Sequence, residues 1–283
     1  MKQRRIGNRT VSAIGLGGMP MSVRDHNDEE RGLATIRTAL LAGVTLIDTA
    51  DAYSVDESSF GHNELLVAKA LKEYGAGSDD VLVATKGGHT RRGSDWELDG
   101  RPEYLREACV ASLRRLGVEQ IGLYQHHRPD PAVAYEDSIG GIKDLLDEGL
   151  IATAGISNAD PGQIRRAHEI LGAGLVAVQN QFSPAFRSSG PEIDACAELG
   201  LAFLAWSPLG GMSKAADLGS SWAAFADVAS KHDVSPQQVC LAWELSLSEG
   251  VVPIPGASRP ESVTDSVAAA DLVLDTDDLA ALR

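Results

Sequence analysis

Short apolar runs recur along the chain and alternate with longer segments of helical period. Each run is continuous and rich in Val, Leu, Ile and Ala, as in parallel strands that are covered on both faces. The pattern therefore predicts eight buried strands, which lie at 11–18, 44–48, 81–86, 121–127, 152–157, 175–180, 201–206 and 251–255.

Helices are predicted between the runs, and two of them begin with strong start signals. Residues 160–163 (DPGQ) place an N-cap Asp before a first-turn proline and a glutamine at the third helical position. Residues 235–238 (SPQQ) repeat this arrangement and open a helix that runs towards Gly250. The other helical segments cover about 29–42, 61–74, 102–116, 133–149, 190–199 and 260–270.

Eight strands that alternate with helices in 283 residues predict an α/β fold, a closed (β/α)8 TIM barrel. No linker rich in Pro, Ser or Gly divides the chain, so we expect one domain over residues 1–283. An open doubly wound sheet is the alternative, but no G-x-G-x-x-G opens a helix after a strand. The first residues predict a short N-terminal hairpin that turns at Gly7 and Asn8 and closes one end of the barrel.

Composition and charge exclude several classes of protein. The chain has 25 Lys and Arg against 40 Asp and Glu, a formal net charge of −15, which argues against binding to nucleic acid or to an anionic membrane. No apolar run approaches the roughly 20 residues of a spanning helix, and no signal peptide follows the basic start, so we expect a cytoplasmic protein. The three cysteines lie far apart in helical patterns, which predicts packing residues without disulfides, and we expect no metal site.

Polar or ionisable side chains follow six consecutive strands, at the end of a barrel where active sites form. Each one alone is more often a cap or a solvated loop residue, but their joint placement predicts a site. Asp48, Lys86 and one histidine should pair there, because buried ionisable groups are costly without partners. His126 and His127 are adjacent on a strand and point to opposite sides, so at most one of them faces the site.

These strand ends resemble the motifs of the aldo-keto reductases, in the same order from about Gly15 to Gly256. The segments that carry the resemblance are DTADAY (48–53), VLVATK (81–86), LYQHHRPD (123–130), GISN (155–158), Gln179, WSPLGG (206–211) and IPGASRPESV (254–263). The resemblance implies an oxidoreductase that uses NADPH to reduce aldehydes or ketones to alcohols by hydride transfer. It also implies a catalytic tetrad of Asp48, Tyr53, Lys86 and His127. His127 is favoured over His126 because the family histidine directly precedes Arg or Trp.

The chemistry of the four side chains agrees with the resemblance. The oxygen of a carbonyl that accepts hydride needs a proton donor and stabilisation of its charge. Tyr53 is the expected donor; its ordinary pKa is about 10, and we expect the Lys86 ammonium to lower it. Asp48 would keep Lys86 charged and oriented, and His127 would donate a hydrogen bond to the substrate oxygen.

The resemblance also implies residues that hold cofactor and substrate. Amide and hydroxyl groups would bind the nicotinamide carboxamide, an aromatic ring would stack on the nicotinamide, and an Arg would bind the 2′-phosphate. The cofactor residues would be Ser157, Asn158, Gln179, Trp206, Ser207, Leu209, Gly210, Gly256, Ser258, Arg259 and Asp265. Ser262 stands where many members carry a second Arg. The substrate residues would be Met19, Phe182 and Trp96, the last in a loop at 86–101 whose Arg91 and Arg92 we expect to be solvated.

Two other functions remain open at this stage. Some relatives of the family are catalytically idle, so the same barrel can act as a cofactor-sensing or regulatory subunit. Lys86 can alternatively form a Schiff base in a lyase, although Asp48 disfavours this by stabilising the ammonium. The expected partner is a small carbonyl compound, and the protein is expected to be a monomer or a weak homo-oligomer.

Overall fold

The computed structural model describes residues 1–23, 28–212 and 214–283. Within these ranges the strands are β1 (Gln3–Ile6), β2 (Arg9–Ser12), β3 (Leu16–Gly17), β4 (Leu46–Asp48), β5 (Leu82–Gly87), β6 (His89–Arg92), β7 (Asp95–Leu98), β8 (Leu123–His126), β9 (Ala154–Ser157), β10 (Leu175–Gln181), β11 (Ala202–Trp206) and β12 (Val251–Pro253). The helices are α1 (Pro20–Val23), α2 (Glu29–Leu41), α3 (His62–Tyr74), α4 (Pro102–Leu116), α5 (Tyr135–Asp147), α6 (Pro161–Leu171), α7 (Gly190–Leu199), α8 (Leu218–Ser221), α9 (Ala223–His232), α10 (Pro236–Leu247), α11 (Pro260–Ala268) and α12 (Thr276–Ala281).

Eight of these strands form one parallel sheet that closes on itself. Hydrogen bonds join them in the order β3, β4, β5, β8, β9, β10, β11 and β12. The two ends of the series meet, because Gly17 pairs with Gly256 in a parallel bridge and the N–H of Gly15 donates to the Pro253 carbonyl at 2.9 Å. The fold is therefore the (β/α)8 barrel that the sequence predicts, and the open doubly wound sheet is excluded.

The structure confirms the strands and helices that the apolar pattern predicts. Every apolar run overlaps one sheet strand, and all four residues of β8 and of β9 are buried. Asp160 caps α6 by accepting from the Gln163 N–H, and Ser235 caps α10 by accepting from the Gln238 N–H. Four helices, α1, α8, α9 and α12, were not predicted.

The N-terminal hairpin closes the end of the barrel opposite the strand ends discussed below. β1 and β2 are antiparallel, and the pairing of Ile6 with Arg9 leaves Gly7 and Asn8 as the turn. Gly7 has φ +57°, a left-handed conformation that glycine adopts without strain. Ile6 and Val11 pack in one cluster with residues of the barrel interior, such as Leu46. The prediction of a closing hairpin is thereby confirmed.

The segment 86–101 differs from the expected loop. It contains an antiparallel hairpin, β6 and β7, which pairs His89 with Leu98 and Arg92 with Asp95. Arg91 is buried rather than solvated: its guanidinium lies 3.6 Å from the centre of the Trp96 ring and donates to the carbonyls of Ser94 and Ser54. Arg91 and Trp96 are cross-strand partners, so this cation–π contact joins the two strands of the hairpin.

Glu244 of α10 is a buried acid without compensation. It is fully buried, and both carboxyl oxygens lack a hydrogen-bond partner in the part of the chain that the structure describes. Burial raises its pKa well above the ordinary value of 4.5. The folded protein therefore keeps a proton that the unfolded chain releases, so stability is lost as pH rises above the unfolded pKa and towards the folded one.

We expect Glu244→Met to increase the free energy of unfolding at pH 7 by about 1–3 kcal/mol, because a well-packed apolar side chain replaces an unpaired buried acid. Urea denaturation measures the change, and the gain should shrink at pH 4, where the unfolded chain is also protonated. The exposed Glu249→Gln is the control and should change little. A loss of stability of equal size at both pH values would contradict the prediction.

No helix in the described ranges is both long and apolar enough to span a bilayer. Cys109, Cys196 and Cys240 are free and buried, in agreement with the packing role that their helical patterns predict.

Candidate active site

The carboxyl ends of the barrel strands surround a cavity of about 500 Å³. β4 ends in Asp48, β5 carries Lys86 one residue before its end, β9 ends in Ser157 and β11 ends in Trp206. Because the strands are parallel, their carboxyl ends all lie at the same end of the barrel. Residues from β3, β4, β9, β10 and β11, from the hairpin strands β6 and β7, and from the loops that follow the barrel strands line the cavity.

Lys86 lies at the centre of a buried hydrogen-bond cluster. Its side chain is fully buried, and its Nζ donates to Asp48 Oδ2 at 2.7 Å, to the Thr49 carbonyl at 2.9 Å and to the Tyr53 hydroxyl at 2.9 Å. The three donors of an ammonium are thus all used. The structure brings together the Asp, Tyr and Lys that the resemblance groups.

Asp48 is held on both of its carboxylate oxygens. Oδ2 receives Lys86, and Oδ1 accepts from Gln179 Nε2 at 2.7 Å. Gln125 Nε2 also points at Oδ1, at 3.4 Å. Gln179 Nε2 also donates to Gln125 Oε1 at 3.4 Å, so both of its N–H groups are engaged and a contact from Gln179 to a nicotinamide carboxamide would use its amide oxygen.

The pKa of Tyr53 differs from the expectation. Burial raises it above the ordinary value of 10.0, and the opposing effect of Lys86 is smaller. The pKa of Lys86 is also raised above its ordinary value: burial lowers it, but Asp48 and Tyr53 together outweigh the burial. Lys86 therefore stays an ammonium and Tyr53 stays a neutral phenol at neutral pH. Tyr53 thus holds a proton, and Lys86 is placed to stabilise the phenolate that forms when that proton leaves.

The two adjacent histidines face different surroundings. His127 lines the cavity, and its ring lies edge-on to Tyr53 with the centroids 5.7 Å apart. His126 is fully buried, does not line the cavity and lies 6.2 Å from the ring of Tyr135 on α5. Burial lowers the pKa of His127 well below 6.5 and that of His126 to about 4. Both imidazoles are therefore neutral at neutral pH, and a neutral imidazole still has one N–H to donate.

Two residues that follow strand ends have a left-handed backbone conformation, which residues other than glycine rarely adopt. Asn158 has φ +57° and Ser207 has φ +51°, and both line the cavity. Strain of this kind is typical of ligand-binding segments, where the backbone must present its groups at a fixed angle. The buried Nε1 of Trp206 and Nδ1 of His127 also lack partners among the described residues. These groups fit a cofactor that supplies polar atoms and an aromatic ring at the cavity.

The cofactor residues implied by the resemblance divide into two groups. Those that line the cavity are Ser157, Asn158, Gln179, Trp206, Ser207, Leu209 and Gly256. Those outside its lining are Gly210, Ser258, Arg259 and Asp265. Arg259 is exposed and its Nε donates to Ser262 Oγ at 3.0 Å.

Asp265 is held away from the cavity by α10. Its two carboxylate oxygens accept from Ser235 Oγ at 2.9 Å and from Gln238 Nε2 at 2.7 Å. These bonds join α11 to the first turn of α10. The Asp265 carboxylate therefore links these two helices by hydrogen bonds.

The substrate residues implied by the resemblance are only partly brought together. Met19 and Trp96 line the cavity, but Phe182 does not. Phe182 is buried in the core and stacks on Trp243, with the ring centroids 5.6 Å apart. The reason is the alternation along β10: Gln179 points into the barrel, so positions 180 and 182 point towards the helices.

Two ionisable residues of the cavity wall were missed by the sequence analysis. His89 and Arg128 both line the cavity. The His89 ring lies 4.4 Å from that of His127 and 5.3 Å from that of Trp96, centroid to centroid. Arg128 was used only as a marker for His127, although its position after a strand end was a signal for the site. No group of three or more metal-binding side chains occurs in the described residues.

Comparisons with known proteins agree on one family. A model described as the aldo/keto reductase family matches residues 13–283. A probable aldo-keto reductase 1 of Glycine max is 36% identical to this chain over 298 residues. The match covers 95% of this chain and 84% of the Glycine max protein. An uncharacterized oxidoreductase of Schizosaccharomyces pombe is 33% identical to this chain over 286 residues. The match covers 98% of this chain and 88% of the Schizosaccharomyces pombe protein.

Solved structures give the same result. The crystal structure of an aldo/keto reductase from Klebsiella pneumoniae in complex with NADP and acetate superposes with a TM-score of 0.83. It is 25% identical in sequence, and the match covers 99% of this chain and 94% of that one.

Proposed function

Because this chain belongs to the aldo/keto reductase family, we propose that it reduces aldehydes or ketones to alcohols with NADPH, and that Tyr53 donates the proton. The observation that carries the proposal is the bridge made by Lys86 Nζ between Asp48 Oδ2 and the Tyr53 hydroxyl, at 2.7 and 2.9 Å. The cavity beside this bridge is lined by His127. The Klebsiella pneumoniae relative, solved with NADP, supports the choice of cofactor.

The four side chains have distinct roles in this proposal. When bound, NADPH supplies a hydride to the carbonyl carbon. Negative charge then develops on the carbonyl oxygen, and Tyr53 donates its phenolic proton there. Lys86 stabilises the resulting phenolate, and Asp48 keeps Lys86 charged and in place. Neutral His127 donates a hydrogen bond to the same oxygen and orients the carbonyl, so that charge is stabilised where it develops.

The cofactor would lie along the strand ends from β9 to β12. Ser157 and Asn158 offer hydroxyl and amide groups to the carboxamide, and the ring of Trp206 offers a face for stacking. Ser207 and Leu209 follow, where backbone N–H groups can meet the pyrophosphate. Gly256 has no side chain and allows close approach. Arg259 would bind the 2′-phosphate from outside the cavity, since its planar fork matches phosphate oxygens.

The direct test is oxidation of NADPH by the purified protein in the presence of aldehydes, ketones and sugars, followed by absorbance. We expect turnover with at least one class of carbonyl. Binding of NADPH without turnover on any of them would instead favour the regulatory subunit. The Schiff-base lyase is disfavoured because Lys86 stays charged, and trapping with borohydride would detect its imine.

Arg259 predicts the choice between the two nicotinamide cofactors. A charge-assisted contact with the 2′-phosphate is worth about 1.5–3 kcal/mol, so NADPH should bind roughly 10- to 150-fold tighter than NADH. The lower end is expected, because Arg259 is exposed and Ser262 adds no second cation. Arg259→Ala should remove most of this preference and leave NADH binding nearly unchanged. Fluorescence quenching measures both dissociation constants, and equal values for the unmodified protein would contradict the role of Arg259.

A further inference from the structure

Arg128 places an unbalanced positive charge at the rim of the cavity. It directly follows His127 in the chain, and both residues line the cavity. Its side chain is exposed, yet the surrounding protein is close enough for burial to lower its pKa. Arginine nevertheless remains charged at any physiological pH. A partly desolvated cation therefore lies beside the residue that is proposed to orient the carbonyl.

Two acidic side chains, Asp130 two residues further along the chain and Glu97 of the β6–β7 hairpin, are engaged with other groups. Both carboxylate oxygens of Asp130, two residues further on, accept backbone N–H groups at 2.9 and 2.8 Å. Glu97 of β7 pairs with Arg92 at 3.1 Å. Within the ranges that the structure describes, Arg128 itself makes no ion pair. A cation that is partly removed from water and left unpaired is available to an anionic ligand.

The other groups of the cavity do not offset this charge. Asp48 is the one acid among the described lining residues, and Lys86 neutralises it at 2.7 Å. His89 donates from Nδ1 to the Glu97 carbonyl at 3.1 Å, and burial lowers its pKa to about 4, so its ring is neutral. Trp96 completes an aromatic wall next to His89. The cavity thus combines an apolar, aromatic wall with a single net positive charge at the rim.

We propose that the substrates of this site are aldehydes or ketones that carry a carboxylate, and that Arg128 binds the carboxylate while Tyr53 and His127 hold the carbonyl oxygen. The proposal rests on the proposed carbonyl reduction. A planar guanidinium matches a carboxylate with two parallel hydrogen bonds. Since the chain has a net charge of −15, its general field opposes an anionic substrate, and a local cation is needed to overcome that field.

The test compares aromatic aldehydes that differ in charge but not in shape. 4-Formylbenzoate and 3-formylbenzoate carry a carboxylate, and the matching 4- and 3-formylbenzamides carry a neutral planar amide. For the unmodified protein we expect kcat/KM to favour the better of the two carboxylates over its amide by about 10-fold or more, mainly through KM. In Arg128→Gln this ratio should fall to near one, and Arg128→Lys should restore part of it.

Arg92→Gln is the matched control, because Arg92 is an exposed cation of the β6–β7 hairpin that pairs with Glu97 and is not among the residues lining the cavity. It should leave the carboxylate-to-amide ratio unchanged. A second readout is calorimetric binding of 4-(hydroxymethyl)benzoate, the alcohol product, which should weaken in Arg128→Gln and not in Arg92→Gln. If both amides and both carboxylates are reduced with a ratio near one, the substrate proposal is wrong and the carbonyl reduction stands. If none of the four aldehydes and no other carbonyl is reduced, the proposed function itself fails.

Discussion

Tyr53→Phe is expected to reduce kcat for carbonyl reduction by about 10²–10⁴-fold, the usual contribution of a positioned proton donor. The change removes one oxygen atom, and Lys86 keeps its hydrogen bonds to Asp48 and to the Thr49 carbonyl. The cluster should therefore stay folded, and NADPH should bind as before. Steady-state kinetics with an aldehyde and fluorescence titration with NADPH measure the two quantities.

The pH dependence of the unmodified protein gives a second test of Tyr53. Because the pKa of Tyr53 is raised above 10.0, the phenol stays protonated through neutral and mildly alkaline pH. Reduction by the unmodified protein should lose its donor only when the pH approaches that raised pKa. A Tyr53→Phe variant that retains nearly all of its kcat would reject Tyr53 as the donor.

His127→Ala is expected to lower kcat/KM for carbonyl reduction much more than His126→Ala. His127 lines the cavity beside Tyr53, so its loss removes a hydrogen-bond donor from the developing charge, which costs about 10²–10³-fold. His126 lies on the helix side of β8, and both of its ring nitrogens are buried without partners in the described chain. Its removal should change stability and leave turnover nearly intact.

Thermal unfolding of the two variants separates the effects. His126→Ala leaves a cavity against α5, so a lower Tm is expected, although the loss of two unpaired nitrogens offsets part of the cost. Kinetics are then compared well below both transitions. If folded His126→Ala proves the more damaging to turnover, the side of β8 that faces the substrate is the opposite of the one described.

The barrel could be predicted from sequence because the apolar pattern within each strand and helix shows which of its faces are buried. A strand such as β9 is covered on both faces and is therefore continuously apolar, whatever its distant partners are. The strand ends follow from the same pattern, since Asp48 and Lys86 come directly at the ends of apolar runs. Convergence of these residues needs only the parallel order of the strands, which the fold supplies.

The sequence-based predictions were wrong where a contact depends on packing between different elements of the fold. The strands β6 and β7 are short and polar, and they are joined by the stacking of Arg91 on Trp96, a contact that no apolar pattern records. Phe182 could have been excluded by counting alternation from Gln179, a signal that was present and not used. The pKa of Tyr53 rises because burial outweighs Lys86, and the depth of burial follows from the whole barrel.

The β6–β7 hairpin has a consequence for how proteins of this kind diverge. It leaves the barrel after β5 and returns before α4, and its two strands pair with each other rather than with the sheet. It still supplies His89 and Trp96 to the wall of the cavity. Changes of length or sequence in this excursion can therefore reshape the cavity without breaking one hydrogen bond of the barrel. Natural selection for a new ligand can act on these few residues while Tyr53 and Lys86 are inherited unchanged.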